Sequence, residues 1–172
     1  MKNSALEQRI QDEILAFIHH RKSLLLASSC SDGSPYASYA PFAIGDDCLY
    51  VLLSDIAVHA VNLRQQPAAS VLIIEDEDSA AELFARLRVN YQVSAEHIAV
   101  DSDDWQRGIA CLAARHGERI QALSQLADFK LFRLQPHSGR YVKGFGKAYA
   151  FSGPSLLGTA VDHLRDGHKK RA

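Results

Sequence analysis

The apolar positions of the first segment are Leu6, Ile10, Ile14, Leu15 and Phe17. Their i, i+4, i+8 spacing lies on one face of a helix, predicted over about residues 4–20. The rhythm then changes. Leu24 to Ser29 is a short apolar run, Asp32-Gly33 is a turn signal, and Tyr36 to Ile44 resumes as a strand. Together they read as a β-hairpin. Pro41 in the second strand points to an edge or a bulge, because proline brings no N–H to a ladder. Gly45-Asp46-Asp47 marks another turn, Cys48 to Leu53 a third strand, Ala57 to Gln65 a short helix stopped by Pro67, and Ala69 to Ile74 a fourth strand. Leu83, Ala85, Leu87, Val89 and Tyr91 alternate as a fifth strand over Leu83 to Val93, with Arg86 and Arg88 on its other face.

In the second half, Asp103-Asp104 caps a predicted helix from Trp105 to His116, ended by Gly117, and a shorter helix follows from Glu118 to Leu126. Phe129 to Leu134 and Gly139 to Phe151 read as two strands joined by a turn at Pro136 to Gly139. Pro154 to Leu164 reads as a C-terminal helix leading into Asp166-Gly167-His168. Tight turns between most strands imply a largely antiparallel sheet. The expected architecture is one domain over residues 1–172, mainly β with helices (α+β): a small closed or partly open barrel. A two-layer α+β sandwich is the alternative.

Composition narrows the function classes. The chain has 172 residues, 47% apolar and 23% charged, with net charge −1. That balance offers no global attraction for nucleic acid, and the basic stretch His168-Lys169-Lys170-Arg171 is a local exception. No apolar run reaches the ~18 residues of a membrane helix. The polar start from Met1 to Glu7 lacks a signal-peptide core, so a cytoplasmic protein is expected. Cys30, Cys48 and Cys111 lie far apart, which argues against a disulfide framework or a zinc site. Cys30 and Cys48 read as small buried hydrophobes. The acidic run Glu75-Asp76-Glu77-Asp78 reads as a solvated turn.

Gly144-Phe145-Gly146-Lys147 falls in a strand-like stretch, not between a strand and a helix, so it is no phosphate loop. Neither a nucleophile elbow nor an HExxH motif occurs. The conspicuous chemistry is histidine: the chain has eight. His19, His20 and His116 close predicted helices, where an imidazole suits the negative dipole end. His137 lies in an expected turn and His97 in a polar segment. His59 opens the short helix, while His163 and His168 bracket Leu164-Arg165-Asp166-Gly167, in which Gly167 permits a sharp change of direction. Local sequence alone reads His59 as an ordinary helix residue and His168 as part of a frayed terminus.

Five strings change that weighting: Ser38-Tyr39-Ala40-Pro41-Phe42, His59-Ala60-Val61-Asn62-Leu63, Leu126 to Leu134, Val142 to Tyr149, and Asp166-Gly167-His168-Lys169. In this order they resemble the HugZ/HutZ haem-utilisation family over nearly the whole chain. The resemblance implies an antiparallel split β-barrel of the FMN-binding type, related to pyridoxamine-phosphate-oxidase-like proteins. It implies a homodimer with haem near the subunit interface, and oxidative haem breakdown in iron acquisition using O2 or peroxide and an electron donor.

On this resemblance His168 is the expected axial ligand of the iron of haem b, with His163 the second choice. Lys169, Lys170 and Arg171, and further away Arg88 and Lys143, are candidates for the haem propionates. Asp128 and His59 are the candidate catalytic pair, Asp128 accepting a hydrogen bond from His59 across the dimer. Tyr39, Phe42, Phe145 and Tyr149 are candidates to flank the porphyrin, or else core. Flavin-binding relatives carry Lys where this chain has His59, which weakens the case for an FMN phosphate there. Three functions are thus set against one another: a haem-degrading oxygenase, a haem carrier or store, and an FMN-dependent oxidoreductase.

Overall fold

The computed structural model describes residues 4–165 and 169–171. Its elements run α1 (Ser4–His20), β1 (Ser23–Ser29), β2 (Pro35–Pro41), β3 (Ala43–Ile44), β4 (Leu49–Ser54), α2 (Val58–Gln65), β5 (Ala68–Ile74), β6 (Arg88–Ile98), α3 (Asp103–His116), α4 (Arg119–Ser124), β7 (Phe129–Val142), β8 (Ala148–Ser152) and β9 (Ala160–Leu164). The strands form one nine-stranded sheet in the order β2-β1-β5-β6-β7-β4-β3, with β8 and β9 added beyond the second half of β7. Every pairing is antiparallel. The result is a curled half-barrel of the split-barrel kind.

Period-2 alternation builds the interior. β1 buries Leu24 and Leu26, β5 buries Val71 and Ile73, and β6 buries Val89, Tyr91 and Val93. α1 presents Ile10, Ile14 and Ile18, all fully buried, and so packs its apolar stripe into the sheet. β4 and β7 have both faces covered. Val51 and Phe132 face the main core, whereas Tyr50 and Leu131 face α3 with Trp105, Ile109 and Leu112. Gly108 permits that approach: a Cβ there would stand 2.7 Å from Leu131 and 3.0 Å from Tyr50. Arg115 ties the end of α3 to α1 by donating to the carbonyls of Ile18 and His19, 3.0 Å each. Both carbonyls lie in the last turn of α1, and that of Ile18 also accepts from Arg21 N–H at 3.3 Å.

Pro41 does lie in an edge strand, since β2 is the outermost strand on its side. Five expectations differ from the structure. The cap of α3 is not Asp103-Asp104, which form its first turn, but Ser102, whose Oγ accepts from Trp105 N–H at 3.1 Å. No turn interrupts residues 136–139: β7 runs through them as one strand of 14 residues. The register against β6 slips between Gln92 and Val93, leaving Pro136 opposite Val93 and Ser138 opposite Gln92, so His137 is the extra residue of a bulge. A bulge is where a strand tolerates proline.

The turn sits instead at residues 143–147, closed by Lys143 N–H donating to the Lys147 carbonyl at 3.0 Å, with Gly146 at φ +66°. The fifth strand is displaced to Arg88–Ile98, because Leu83–Ala85 form a 3-10 turn in which the Glu82 carboxylate accepts from Phe84 N–H at 3.0 Å. The expected C-terminal helix is absent. Gly153 (φ +109°) and Gly158 (φ +72°) take conformations a helix cannot hold, and residues 160–164 pair with β8 as β9. A Cβ at Gly158 would meet Phe151 at 2.6 Å, so this strand return depends on glycine.

Candidate functional site

The candidate residues His59 and Asp128 lie on α2 and immediately ahead of β7, each hydrogen-bonded to a serine. Helix α2 buries Ala60 and Leu63 against the core and turns His59 and Asn62 toward hydroxyls of the β1–β2 hairpin. Residues i and i+3 share a helix face, so one helix face carries both polar groups. Asn62 is 4% exposed and donates from Nδ2 to Ser28 Oγ at 3.0 Å. His59 is half-buried, with Nδ1 2.9 Å from Ser38 Oγ. Ser38 stands opposite Leu26 in the hairpin and donates to the Leu26 carbonyl at 3.3 Å. Burial holds the His59 imidazole below its ordinary pKa, toward the neutral form.

Asp128 immediately precedes β7. Its Oδ2 accepts from Ser54 Oγ at 2.7 Å, and its backbone carbonyl accepts from Asp55 N–H, also at 2.7 Å. Ser54 is itself held: Ile56 N–H donates to its Oγ at 3.2 Å. The carboxylate is thus fixed on the last residue of β4. Next to it Asp55 lies between Arg64 (3.4 Å) and Lys130 (3.7 Å). His97 stacks obliquely on Phe132, ring centroids 5.6 Å apart. Burial, then the charges of Lys130 and Arg64, push its imidazole pKa down.

The remaining candidates are dispersed. His163 lies on β9, not on a helix. Its ring stacks on Tyr149 with centroids 4.8 Å apart, and its Nε2 is 3.0 Å from the Gly146 carbonyl. Lys143 is paired with Glu13, its Nζ 2.7 and 2.9 Å from the two carboxylate oxygens, and it lines an open groove of about 540 Å³ beside α1. Arg88 donates to the Arg86 carbonyl at 3.0 Å. Phe42 and Tyr149 are core residues, whereas Tyr39 and Phe145 are exposed. Lys169, Lys170 and Arg171 are exposed and without regular structure. His168, with Asp166 and Gly167, lies outside the described residues.

Within this chain, therefore, His59 and Asp128 do not meet: each is held by a serine, Ser38 and Ser54 respectively. Neither serine is assigned a role by sequence reasoning. Ser54 carries a signal, a hydroxyl at the end of a strand just ahead of a helix, whereas Ser38 becomes visible only through the hairpin register. A cleft of about 610 Å³ between α3 and the β3–β4 turn, lined by Cys48, Tyr50, Asp104, Arg107, Cys111 and Arg133, contains none of the expected site residues. Among the described residues, no group of three or more His, Cys, Asp or Glu is placed to hold a bare metal ion. Nor is any described helix long and apolar enough to cross a membrane.

A family profile described as pyridoxamine 5'-phosphate oxidase matches residues 10–143. The chain is 45% identical to haem oxygenase HutZ of Vibrio cholerae serotype O1 over 170 residues, 99% of this chain and 96% of HutZ. A crystal structure of HutZ from Vibrio cholerae, described as a haem storage protein, superposes with a TM-score of 0.75 at 43% identity, covering 78% of this chain and 96% of that one. Campylobacter jejuni ChuZ superposes with a TM-score of 0.84 at 27% identity, covering 96% of this chain and 66% of that one. An antiparallel half-barrel with this element order, matched across nearly its full length, belongs to the HutZ haem oxygenase family within the pyridoxamine 5'-phosphate oxidase-like split barrels.

Proposed function

We propose that this protein binds haem and degrades it oxidatively, releasing iron, as a homodimer served by an external electron donor. The observation that carries the reading is the 45% identity to haem oxygenase HutZ over 99% of the chain. The surface is compatible with a second copy. Leu25 and Tyr39 are cross-strand partners on the outer face of the β1–β2 hairpin, 48% and 65% exposed, and Ile56 and Val58 stand exposed at the entry to α2. These side chains are exposed apolar surface that a second copy would cover.

In this reading His168 ligates the iron, and Lys169, Lys170 and Arg171 are at hand for the propionates. Bound haem supplies the iron-centred oxygen chemistry. The chain's own residues orient and hold protons: His59 presents one ring nitrogen outward, and Asp128 of the second copy accepts from it. Lys143 and Arg88 are less suited to propionates than the tail, since Lys143 would have to leave Glu13 and Arg88 to give up its backbone carbonyl. Hemin titration of wild type beside His168→Ala tests the ligand, with a sharp Soret band expected for the wild type only. Ascorbate in air then tests turnover, with bleaching and iron release expected.

A storage role is the second reading, favoured by the description of the homologous crystal structure from Vibrio cholerae. A haem spectrum stable to ascorbate would support it.

A further inference from the structure

We infer that Ser38 is a positioning residue that fixes the tautomer of His59, placing the neutral imidazole's proton on Nδ1 and leaving Nε2 as the outward acceptor. The inference deepens the proposed role of His59 and rests on that reading for its functional part, but not for its structural part.

A serine hydroxyl has one proton to donate and lone pairs to accept with. Ser38 stands opposite Leu26, and its Oγ donates to the Leu26 carbonyl at 3.3 Å. A carbonyl has no proton to offer, so that contact can be satisfied in one direction only. The same Oγ lies 2.9 Å from His59 Nδ1. One arrangement makes both hydrogen bonds with the single serine proton: Ser38 donates to the Leu26 carbonyl and accepts from His59 Nδ1–H, whereas donation to Nδ1 would forfeit the Leu26 contact. A neutral imidazole has one N–H, and Nε2 is therefore the bare nitrogen.

The surroundings favour the neutral ring on independent grounds. His59 is in the first turn of α2, where the positive end of the helix dipole opposes an imidazolium. The backbone holds the pair rigidly, since α2 anchors to the core through Ala60 and Leu63, and Asn62 fastens the same helix face to Ser28.

The consequence for the proposed reaction is specific. A bare Nε2 accepts a hydrogen bond and takes up a proton. It cannot donate to the Asp128 carboxylate of a second copy until a further proton arrives on Nε2. Ser38 thus decides that the histidine meets its carboxylate as an imidazolium, not as a neutral donor. Partners that orient metal-ligating histidines are worth roughly 10–100-fold, and the lower end of that range sets the scale expected here.

The test is long-range 1H–15N correlation spectroscopy on histidine-labelled protein without haem, at a pH where His59 is neutral. Wild type should show His59 as the Nδ1–H tautomer. Ser38→Ala should move it toward the Nε2–H form common in free histidine, and Ser38→Thr, which keeps the hydroxyl, should restore the wild-type signature. An Nε2–H signature in wild type, or an unchanged signature in Ser38→Ala with the fold intact, would overturn the assignment.

Degradation assays carry the functional part. Ser38→Ala should lower the turnover rate about tenfold with hemin affinity unchanged, and Ser38→Thr should recover it. If the tautomer shifts as expected while turnover does not, and Asp128→Asn is equally without effect, the proposed use of His59 fails and the tautomer assignment stands.

Discussion

The barrel interior and the rim beneath α2 use opposite chemistry within the same sheet. Inside, Ile10, Ile14, Phe42, Tyr91 and Phe132 are fully buried, and position is set by apolar alternation. At the rim, position is set by pairs of polar groups: Ser28 with Asn62, Ser38 with His59, Ser54 with Asp128. Leu25, Tyr39, Ile56 and Val58 remain exposed at the hairpin and α2 entry of the same chain. The interior is complete as it stands, whereas the rim holds titratable groups ready and leaves apolar surface uncovered. The first region holds the bulk of the buried apolar side chains, and the second holds the candidate site residues His59 and Asp128.

Damage to the interior should have the largest effect. Phe132→Ala leaves a cavity facing Val51 and the main core, and should cost about 3–5 kcal/mol in urea unfolding. Where the variant still folds in the cold, its hemin affinity should be close to wild type. A selective loss of haem binding at full stability would show that interior and rim are not separable. Asn62→Ala comes next. It leaves the buried Ser28 hydroxyl without its amide partner and should cost about 1–3 kcal/mol, because an unsatisfied buried polar group carries its desolvation penalty. A loss of a few tenths would place this contact with ordinary surface pairs.

The two regions also differ in how far the sequence reveals them. The interior is written in local rhythm. The helix stripe of α1, the Asp32-Gly33 hairpin, the Pro41 edge and the α3 segment with its Gly117 stop are all legible from neighbours a few residues apart. Local rhythm misled at the fifth strand, where the Glu82 carboxylate caps a 3-10 turn over Leu83–Ala85, and elsewhere through proline and glycine. Pro136 signals a turn but occupies a bulge opposite Val93, and Pro154-Ser155 signals a helix start that Gly158 cancels. The rim is written in long-range pairs. Ser38 and His59 are 21 residues apart, Ser28 and Asn62 are 34, and Ser54 and Asp128 are 74. No periodicity encodes a hydroxyl that meets an imidazole through the register of a hairpin. His59 and Asp128 were legible as candidates because of family resemblance, Ser54 only as a hydroxyl at a strand end ahead of a helix, and Ser38 not at all.

Smaller effects sharpen the rim itself. Asp128→Asn should reduce haem turnover about tenfold while leaving the urea midpoint nearly unchanged, since its carboxylate partner Ser54 can still bond an amide. Ser54→Ala should act in the same direction and less strongly. Lys143→Met should cost about 1 kcal/mol or less, the usual worth of a partly exposed ion pair, here the one with Glu13. Isothermal titration with hemin separates the roles. Unchanged affinity assigns Lys143 to Glu13, whereas a marked loss would return it to the propionates.

The smallest expected effect is the pH dependence of stability, and its sign distinguishes a rim that is alone from one that is paired. In the single chain, burial lowers the pKa values of His59 and His97 from the ordinary 6.5. Below that value the unfolded chain takes up protons that the folded chain resists, so the unfolded state binds more protons. Stability should therefore be full above about pH 7, and should be lost as the pH falls through the lowered folded values. A carboxylate from a second copy facing His59 does the reverse to that group, because it favours the imidazolium. The comparison is thus between wild type and Asp128→Asn, by urea unfolding at several values from pH 7 to pH 5. The variant should lose stability more steeply on acidification, having only the burial penalty, while wild type is protected by the ion pair. Asp32 and the half-buried Asp104, held below the ordinary carboxylate range by hydrogen bonds from Ser34 and Arg107, respond only at more acid pH and do not enter this window. Parallel slopes would remove Asp128 as the partner of His59. A slope that vanishes in His59→Gln but persists in His97→Gln would still assign the acid sensitivity to the imidazole on Ser38.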